Sequence, residues 1–173
     1  EFYEPPPPPY EGGIGDDGVK ALKEFTTSGG TIVAIGSGCD FLIDEFKLPA
    51  KDLLKDLSEK DFNCPGAIIR LEVDPTSPVC YGMSTMTPCF FFYGKVFSTR
   101  IPFGKFDRKV VARIPTEDLL MSGWLHGGDR IKGKAAVVHI TFDKGNIILV
   151  GFDPIHRGQT YATYEILINS LLL

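Results

Sequence analysis

Residues 31–46, TIVAIGSGCDFLIDEF, contain the pattern that decides the fold class of this chain. A run of strand-forming apolar residues passes through Gly36-Ser37-Gly38 directly into a helical pattern. A strand that turns sharply into a helix is how α/β proteins present a reactive group at the carboxyl edge of a sheet. The stretch therefore predicts an α/β domain. Cys39 follows the turn, and its thiol is either a catalytic nucleophile or a packed side chain.

The hydrophobic spacing around this stretch predicts further helices. A helix from Gly18 would place Val19, Leu22 and Phe25 on one face, with Asp16 or Asp17 as N-cap and Gly29-Gly30 as the stop. The helix of residues 37–46 would end at residues 47–49, and residues 50–62 would add a helical turn or two. A terminal helix in residues 158–173 would bury a stripe of Tyr161, Tyr164, Ile168 and Leu171, with Leu167 beside it.

After Cys64-Pro65-Gly66 the pattern changes to short strand-like runs that are separated by proline and glycine. These runs are AIIRLEVD, CFFFY, KVFST, KVVARIP, KAAVVHITF and NIILVGF. The last two would form an antiparallel hairpin across Asp143-Lys144-Gly145.

Together these elements predict a mixed α/β sheet between helices, a three-layer sandwich with an early parallel half and a late antiparallel extension. Residues 1–13 would be a proline-rich lead-in loop, and residues 14–173 a single domain. Because a helix precedes the first strand, we expect an upstream or separate chain segment to complete the sheet. The chain would then be a piece of a longer polypeptide.

The composition argues against several classes of function. A net charge of −4 without a block of basic residues disfavours nucleic-acid binding. The longest apolar run, residues 147–152, falls far short of the roughly 20 residues of a membrane span. His126 and His139 share no zinc-ligand spacing, so no metal site is expected.

The four cysteines leave two interpretations open. Cys39, Cys64, Cys80 and Cys89 contain no C-x-x-C pair, which disfavours a zinc ribbon or a redox motif. They fit one or two disulfides in a secreted protein, or four buried free thiols.

Two other segments are candidates for binding sites. Residues 12–15, GGIG, lack the preceding strand and the Lys-Ser/Thr of a P-loop, so a tight turn explains them better than a phosphate site. The aromatic run of residues 90–93, with Phe97 and Trp124, would line a sugar or peptide groove or pack in the core. Three consecutive phenylalanines cannot all face one side of a strand, which favours docking over catalysis.

Three segments carry a resemblance to a known family: residues 10–38 (YEGGIGDDGVKALKEFTTSGGTIVAIGSG), 62–83 (FNCPGAIIRLEVDPTSPVCYGM) and 122–172, which include GFDPIHRGQT. They resemble the C-terminal domain of some bacterial zinc carboxypeptidases of the carboxypeptidase A type. That domain is similar to class I glutamine amidotransferases, which have a flavodoxin-like fold. The resemblance implies such a fold here, in a secreted or periplasmic parent protein whose zinc is bound only by its peptidase domain. It also makes a disulfide among Cys64, Cys80 and Cys89 worth testing.

Relative to active amidotransferases, the resemblance implies that the catalytic triad is lost. The elbow G-x-C-x-G would place a cysteine where Gly36 stands, before Ser37. The Phe-His-Pro-Glu segment would align with residues 152–155, where Asp153 replaces the histidine and Ile155 the glutamate. A thiol needs a base, and the base needs an orienting group, so losing all three removes the mechanism.

The sequence therefore favours a non-catalytic accessory domain that docks on a peptidase domain or holds a peptide or glycan near it. Its cleft would involve Gly13, Gly15, Gly36, Ser37 and Arg157.

Two alternatives remain open. One is a cysteine-dependent hydrolase or amidotransferase variant that uses Cys39 with His156 or Asp153. The other is a structural oligomerisation module, as related domains serve in some glycosidases.

Overall fold

The computed structural model of the chain describes residues 12–101, 104 and 106–173. The helices are α1 (Gly15–Thr27), α2 (Ser37–Phe46) and α3 (Tyr164–Ser170). The strands are β1 (Thr31–Ile35), β2 (Ala50–Asp52), β3 (Ala67–Val73), β4 (Met86–Phe91), β5 (Phe97–Thr99), β6 (Phe106–Arg113), β7 (Leu120–Gly123), β8 (Ala135–Phe142) and β9 (Gly145–Val150). The proline run in residues 5–9 of the expected lead-in loop lies outside the described residues.

The nine strands of the described residues form one mixed sheet in the order β1-β9-β8-β6-β3-β4. β2 and β5 pair beside β8, and β7 pairs with β3. The first strand and the last strand, β1 and β9, pair in parallel, whereas the other pairings are antiparallel. The expected parallel half is thus one pair of strands, and the mixed α/β class is confirmed.

Helices cover both faces of the sheet at β1 and β9, because the side chains of these strands alternate. Ile32 and Ala34 of β1 pack in a cluster with Leu22 of α1 and with buried residues of α2. Val33 and Ile35 pack on the other face, against the larger cluster that contains Ile166 of α3. The core is therefore split by the sheet into two apolar layers.

β1 lies at the edge of the sheet, and its second edge has no partner strand in the described residues. The Gly36 N–H donates to the Val150 carbonyl, and the Asn146 N–H donates to the Gly30 carbonyl. Because these groups alternate along a strand, the N–H groups of the even-numbered residues face β9. The N–H groups of Val33 and Ile35 consequently point away from the sheet.

The predicted helix α1 exists, but its details differ from the expectation. Ile14 is the N-cap residue, and Asp16 and Asp17 lie in the first turn, where their charge complements the helix dipole. Leu22 is half-buried, whereas Phe25 is exposed. The predicted N-cap was therefore wrong, and Phe25, on the predicted apolar face, is not buried.

The helical turns predicted for residues 50–62 are only partly present, because the Phe62 N–H bonds the Ser58 carbonyl in a single helical turn but residues 50–57 form no helix. Residues 50–52 form β2, which pairs with β5. The Asp52 carboxylate then accepts a hydrogen bond from the Leu54 N–H at 2.9 Å, a turn that competes with helix formation.

The terminal helix buries a different face from the one predicted. α3 is only seven residues long and buries Ile166 and Ser170, while Tyr161, Ile168 and Leu171 are exposed. A short helical turn at Tyr161–Thr163 precedes α3 and changes its phase, because Thr163 is buried and bonded to the Pro154 and Thr160 carbonyls.

Most predicted strands are present, and the hairpin of β8 and β9 is confirmed in register. Phe91 is fully buried while Phe92 is exposed, so the three phenylalanines do divide between two faces. The pattern missed β2 and β7, since β2 has only three residues and all four residues of β7 are exposed.

Candidate functional site

The turn between β1 and α2 has the backbone of an elbow. Gly36 is the N-cap residue of α2, with φ 55° and ψ −121°, a region that is essentially restricted to glycine. A Cβ atom added to Gly36 would meet no atom within 4 Å. Ser37 and the turn that contains Gly13 and Gly15 are exposed. A side chain at position 36 would therefore project into open space.

Cys39 lies behind the elbow rather than in front of it. Its side chain is fully buried, and Sγ lies 3.3 Å from the Ala34 carbonyl oxygen and 3.4 Å from that of Val150. Burial raises the pKa of this thiol to about 12. At neutral pH Cys39 is a protonated packing residue that faces the sheet.

A charged network joins the elbow helix to the opposite loop. The Lys95 ammonium lies 2.7 Å from Asp40 of α2 and 2.9 Å from Asp52 of β2. The Asp52 side chain is 2% exposed and that of Lys95 is 17% exposed. Burial opposes the charge of Lys95, but the hydrogen bonds to the two carboxylates outweigh burial and raise its pKa. The main chain at Lys95 also bonds Gly151, directly after β9.

The corner after β9 carries the second set of predicted residues. His156 Nδ1 lies 3.5 Å from an Asp153 carboxylate oxygen. The imidazole stacks on the rings of Phe90 at 4.9 Å and of Phe92 at 5.6 Å between centroids. The next residue, Arg157, is exposed and has positive φ. His156 is thus held by aromatic packing at the carboxyl end of β4.

The structure brings Asp153 and His156 together but gives Cys39 a different environment. The partners of the Cys39 sulfur are main-chain oxygens, and those of the His156 ring are Asp153 and two phenylalanines. A nucleophile and its base need mutual hydrogen-bond reach, and none of the contacts of Cys39 supplies a base.

A cavity of about 250 Å³ opens beside the Lys95 network. Its lining residues come from the end of β2, from residues 54–64 and from the loop after β4. They are Asp52, Leu54, Lys55, Leu57, Glu59, Phe62, Asn63, Cys64, Tyr93, Gly94 and Lys95. The Asn63 Oδ1 atom is buried and has no hydrogen-bond partner among the described residues.

The described residues contain four buried free thiols, which is the second of the two interpretations that the sequence left open. Burial raises the pKa of each of them. No group of three or more metal-binding side chains occurs within residues 12–101, 104 and 106–173. In this same part of the chain, none of the helices has the length and apolar character needed to cross a bilayer.

Comparisons with known proteins identify the fold only. No protein-family model matches the chain, and no curated protein matches it. Among solved structures, the chain is similar to a cytoplasmic protein, STM3548 from Salmonella typhimurium, at 17% identity and a TM-score of 0.55. It is also similar to a β-galactosidase from Bacillus circulans sp. alkalophilus, at 14% identity and a TM-score of 0.54. Each match covers 90% of this chain, but 59% of the first protein and 20% of the second.

The sequence interpretation missed the charged residues that join α2, β2 and the loop after β4. Asp40, Asp52 and Lys95 are separated by 12 and 43 positions along the chain, so no motif connects them. In the sequence, Lys95 is only the first residue of the predicted strand KVFST, and nothing marks it as a site residue. Asn63 gave no signal, because its missing partner is visible only in three dimensions.

Proposed function

We propose that this chain is a non-catalytic accessory domain that docks on a larger protein. The observation that carries this proposal is the unpaired edge of β1. A strand of the sequence TIVAI is apolar on both faces and carries none of the charges or prolines that normally protect a sheet edge. Such an edge is suited to pairing with an added strand.

Exposed apolar side chains flank this edge on both faces of the sheet. Phe25 of α1 packs against Gly30, directly before β1, and remains 52% exposed. The carbonyl oxygen of Leu173 lies 3.5 Å from the Thr31 hydroxyl, so the last residue of the chain also lies beside the start of β1. Ile168, Leu171 and Leu172 are exposed as well. Clustered exposed apolar residues mark interaction surfaces.

The partner in this proposal is a strand from an upstream or separate segment, followed by a peptidase domain. Helices on both faces of β1 and the elbow at Gly36 support a flavodoxin-like, amidotransferase-like fold. The resemblance of the sequence extends the proposal to a bacterial, secreted or periplasmic zinc carboxypeptidase as the parent protein. The zinc would then belong to the peptidase domain alone.

The geometry of the elbow supports a domain that has lost its catalytic group, and it argues against an active enzyme that uses Cys39. Gly36 keeps a backbone that suits a nucleophile but has no side chain, and Asp153 and Ile155 occupy the remaining triad positions of the resemblance. The rival enzyme based on Cys39 requires a thiolate. Burial works against it, because the pKa of Cys39 is raised to about 12.

An oligomerisation module is the second candidate, and the same edge of β1 favours it. The fold of this chain corresponds to a fifth of the β-galactosidase chain, so it also occurs as one part of a longer enzyme. Two copies related by a twofold axis would pair their β1 strands antiparallel.

Hydrogen exchange at β1 tests the docking proposal. The amides of Val33 and Ile35 should exchange quickly in the chain by itself and slowly in the full-length product of its gene. Equal and rapid exchange of both amides in the two proteins would refute docking at this edge. Protection that grows with the concentration of the chain alone would favour the oligomerisation module.

A matched pair of proline variants gives the control. Val33→Pro removes an N–H that faces away from the sheet and should block docking while β1 stays paired with β9. Ala34→Pro removes an N–H that faces β9 and should destabilise the fold itself. If the two variants lose equal stability, the assignment of the free edge is wrong.

A further inference from the structure

Four rings at the carboxyl end of β4 form one aromatic surface: Phe90, Phe92, Tyr93 and His156. The imidazole of His156 stacks on both phenylalanines, whose own planes differ by 7° at a centroid distance of 6.2 Å. Phe92 remains 47% exposed and Tyr93 60% exposed. A contiguous exposed surface of this kind marks an interaction site.

Tyr93 belongs to two apolar recesses of this surface. Its ring meets that of Phe92 with centroids 4.8 Å apart and planes at 72°, so the two rings form a corner. Tyr93 also lines the cavity of about 250 Å³, whose apolar residues are Leu54, Leu57 and Phe62. The φ of Tyr93 is 43°, an uncommon conformation for a bulky residue, so the backbone is strained where it presents this ring.

An aromatic surface with neighbouring recesses suits a polyproline II segment. Proline-rich segments bind in grooves that are lined by aromatic rings. A polyproline II helix has 3 residues per turn and a rise of about 3.1 Å, so residues i and i+3 project to one side about 9 Å apart. Such a segment is stiff before it binds, and it therefore loses little conformational entropy on binding.

This chain contains a proline segment of its own, attached at the same edge of the sheet. α1 ends beside the first residue of β9, because a Cβ atom on Gly145 would overlap the Thr26 carbonyl oxygen. Since β1 and β9 are parallel, α1 begins toward their carboxyl ends, where His156 follows β9. Residues 5–9 are five consecutive prolines that precede Gly12 by three to seven positions. In a polyproline II conformation this separation spans about 9 to 22 Å.

The charges beside the proline run complement those beside the aromatic surface. Glu4 and Glu11 are the nearest charged residues on either side of the run. Arg157 is exposed and directly follows His156. Asp153, the acidic residue of the same loop, is paired with His156 at 3.5 Å. Arg157 is therefore suited to attract an acidic segment.

From these features we infer that the proline run of residues 5–9 packs on the aromatic surface of the same chain, with proline rings beside Tyr93. The docked run would fix the direction in which any preceding segment leaves the domain. This inference goes beyond the proposed docking at β1 and is independent of it, because none of the four rings belongs to β1.

The test compares the natural chain with a triple variant, Pro6→Ser, Pro7→Ser and Pro8→Ser, by nuclear magnetic resonance. The amide signal of Tyr93 should differ in position between the two proteins. The signal of Tyr81, an exposed tyrosine that precedes the start of β4, should not. The difference should be the same at every protein concentration, because the contact forms within one chain.

A peptide of residues 1–11, EFYEPPPPPYE, gives a second measurement. Added to the triple variant, it should move the Tyr93 signal toward its position in the natural chain. It should bind the natural chain at least about tenfold more weakly, because the attached run competes at a high effective concentration. A control peptide with serine at positions 5–9 should leave the signal unchanged.

Two tyrosine variants, each made in the triple variant, keep the result decisive. Tyr93→Ala should weaken peptide binding about tenfold, whereas Tyr81→Ala removes an exposed ring elsewhere and should leave binding unchanged. The inference is overturned if the Tyr93 signal is the same in the natural chain and the triple variant. A difference that vanishes on dilution would also overturn it, since the occupant would then be the run of a second copy. Neither outcome would alter the exchange result at β1.

Discussion

The elbow at Gly36 and the corner that begins at Gly151 lie side by side at the carboxyl end of the parallel strands, yet they are built in opposite ways. At the elbow, a Cβ atom on Gly36 would meet nothing within 4 Å. At the corner, a Cβ atom on Gly151 would overlap the Lys95 carbonyl oxygen and approach that of Ala136 at 3.1 Å. The elbow has open space but a backbone that suits only glycine, whereas the corner has no free space.

This difference shows that two turns at the same edge of a sheet can be stabilised in opposite ways. The elbow has an unusual backbone at a residue that carries no side chain. The corner carries His156, whose ring is stacked on Phe90 and Phe92. Aromatic packing therefore fills the corner, whereas no side chain fills the elbow.

Gly151→Ala should give the largest effect, because the crowded corner has no room for a methyl group. The variant must push the Lys95 main chain away from the end of β9, and overpacking of this kind costs about 3 kcal/mol or more. The free energy of unfolding, measured by urea denaturation, checks this expectation. A loss no larger than that of Gly36→Ala would abolish the contrast between the two regions.

Lys95→Met should have the next largest effect. The Lys95 ammonium pairs with Asp40 of the elbow helix, and the Lys95 N–H donates to the Gly151 carbonyl at the corner. The variant leaves the buried Asp52 carboxylate without its cation, which we expect to cost about 2 kcal/mol, less than for a fully buried pair. Lys20→Met is the control, because Lys20 pairs with Glu24 at the exposed surface and should matter little. Similar losses in both variants would contradict the role given to Lys95.

The pH dependence of this loss has a defined sign. The folded-state pKa of Lys95 is raised above its ordinary value of 10.5, so its stabilising contribution is fully present below that value. The contribution disappears as the pH rises through the folded-state pKa. The difference in unfolding free energy between the natural chain and Lys95→Met should therefore shrink as the pH rises above 10.5. A difference that grows over this interval would show that the shift has the opposite direction.

The fold was predictable where local pattern and tertiary packing agree. The strand 31–35, the following helix and the hairpin of β8 and β9 all have strong periodicity, a glycine turn or both. The failures occurred where a tertiary contact overrides local spacing. Asp52 ends its segment with a turn instead of a helix, and the bonds of Thr163 rotate α3 away from the predicted face.

The candidate site was predictable only in part, for a similar reason. The placement of Gly36 and Cys39 follows from the strand-turn-helix pattern, because both lie within one continuous stretch of sequence. The contacts of Lys95 and the unpartnered amide of Asn63 depend on segments that are distant in sequence. Spacing alone carries no information about such contacts.

Gly36→Ala should cost less than the two variants above, because the elbow has room but an unfavourable backbone. With φ 55° and ψ −121°, alanine would be strained by about 1 to 2 kcal/mol without any collision. The same denaturation experiment measures the loss. Gly38→Ala, in the first turn of α2, is the control and should be neutral or slightly stabilising, because alanine favours the helix and a Cβ atom there meets no close neighbour. Equal losses at positions 36 and 38 would mean that the elbow is not strained.

His156→Phe should have the smallest effect if the corner histidine serves packing rather than chemistry. Phenylalanine keeps the stack on Phe90 and Phe92, and the partly exposed pair with Asp153 contributes little. We expect a change within about 0.5 kcal/mol, against about 1 kcal/mol lost in His156→Ala, which removes the ring. Chemical denaturation of the three proteins measures both differences. If His156→Phe were the more damaging variant, the ring would be held by its polar nitrogens, and the corner would be a hydrogen-bonding site rather than a packed surface.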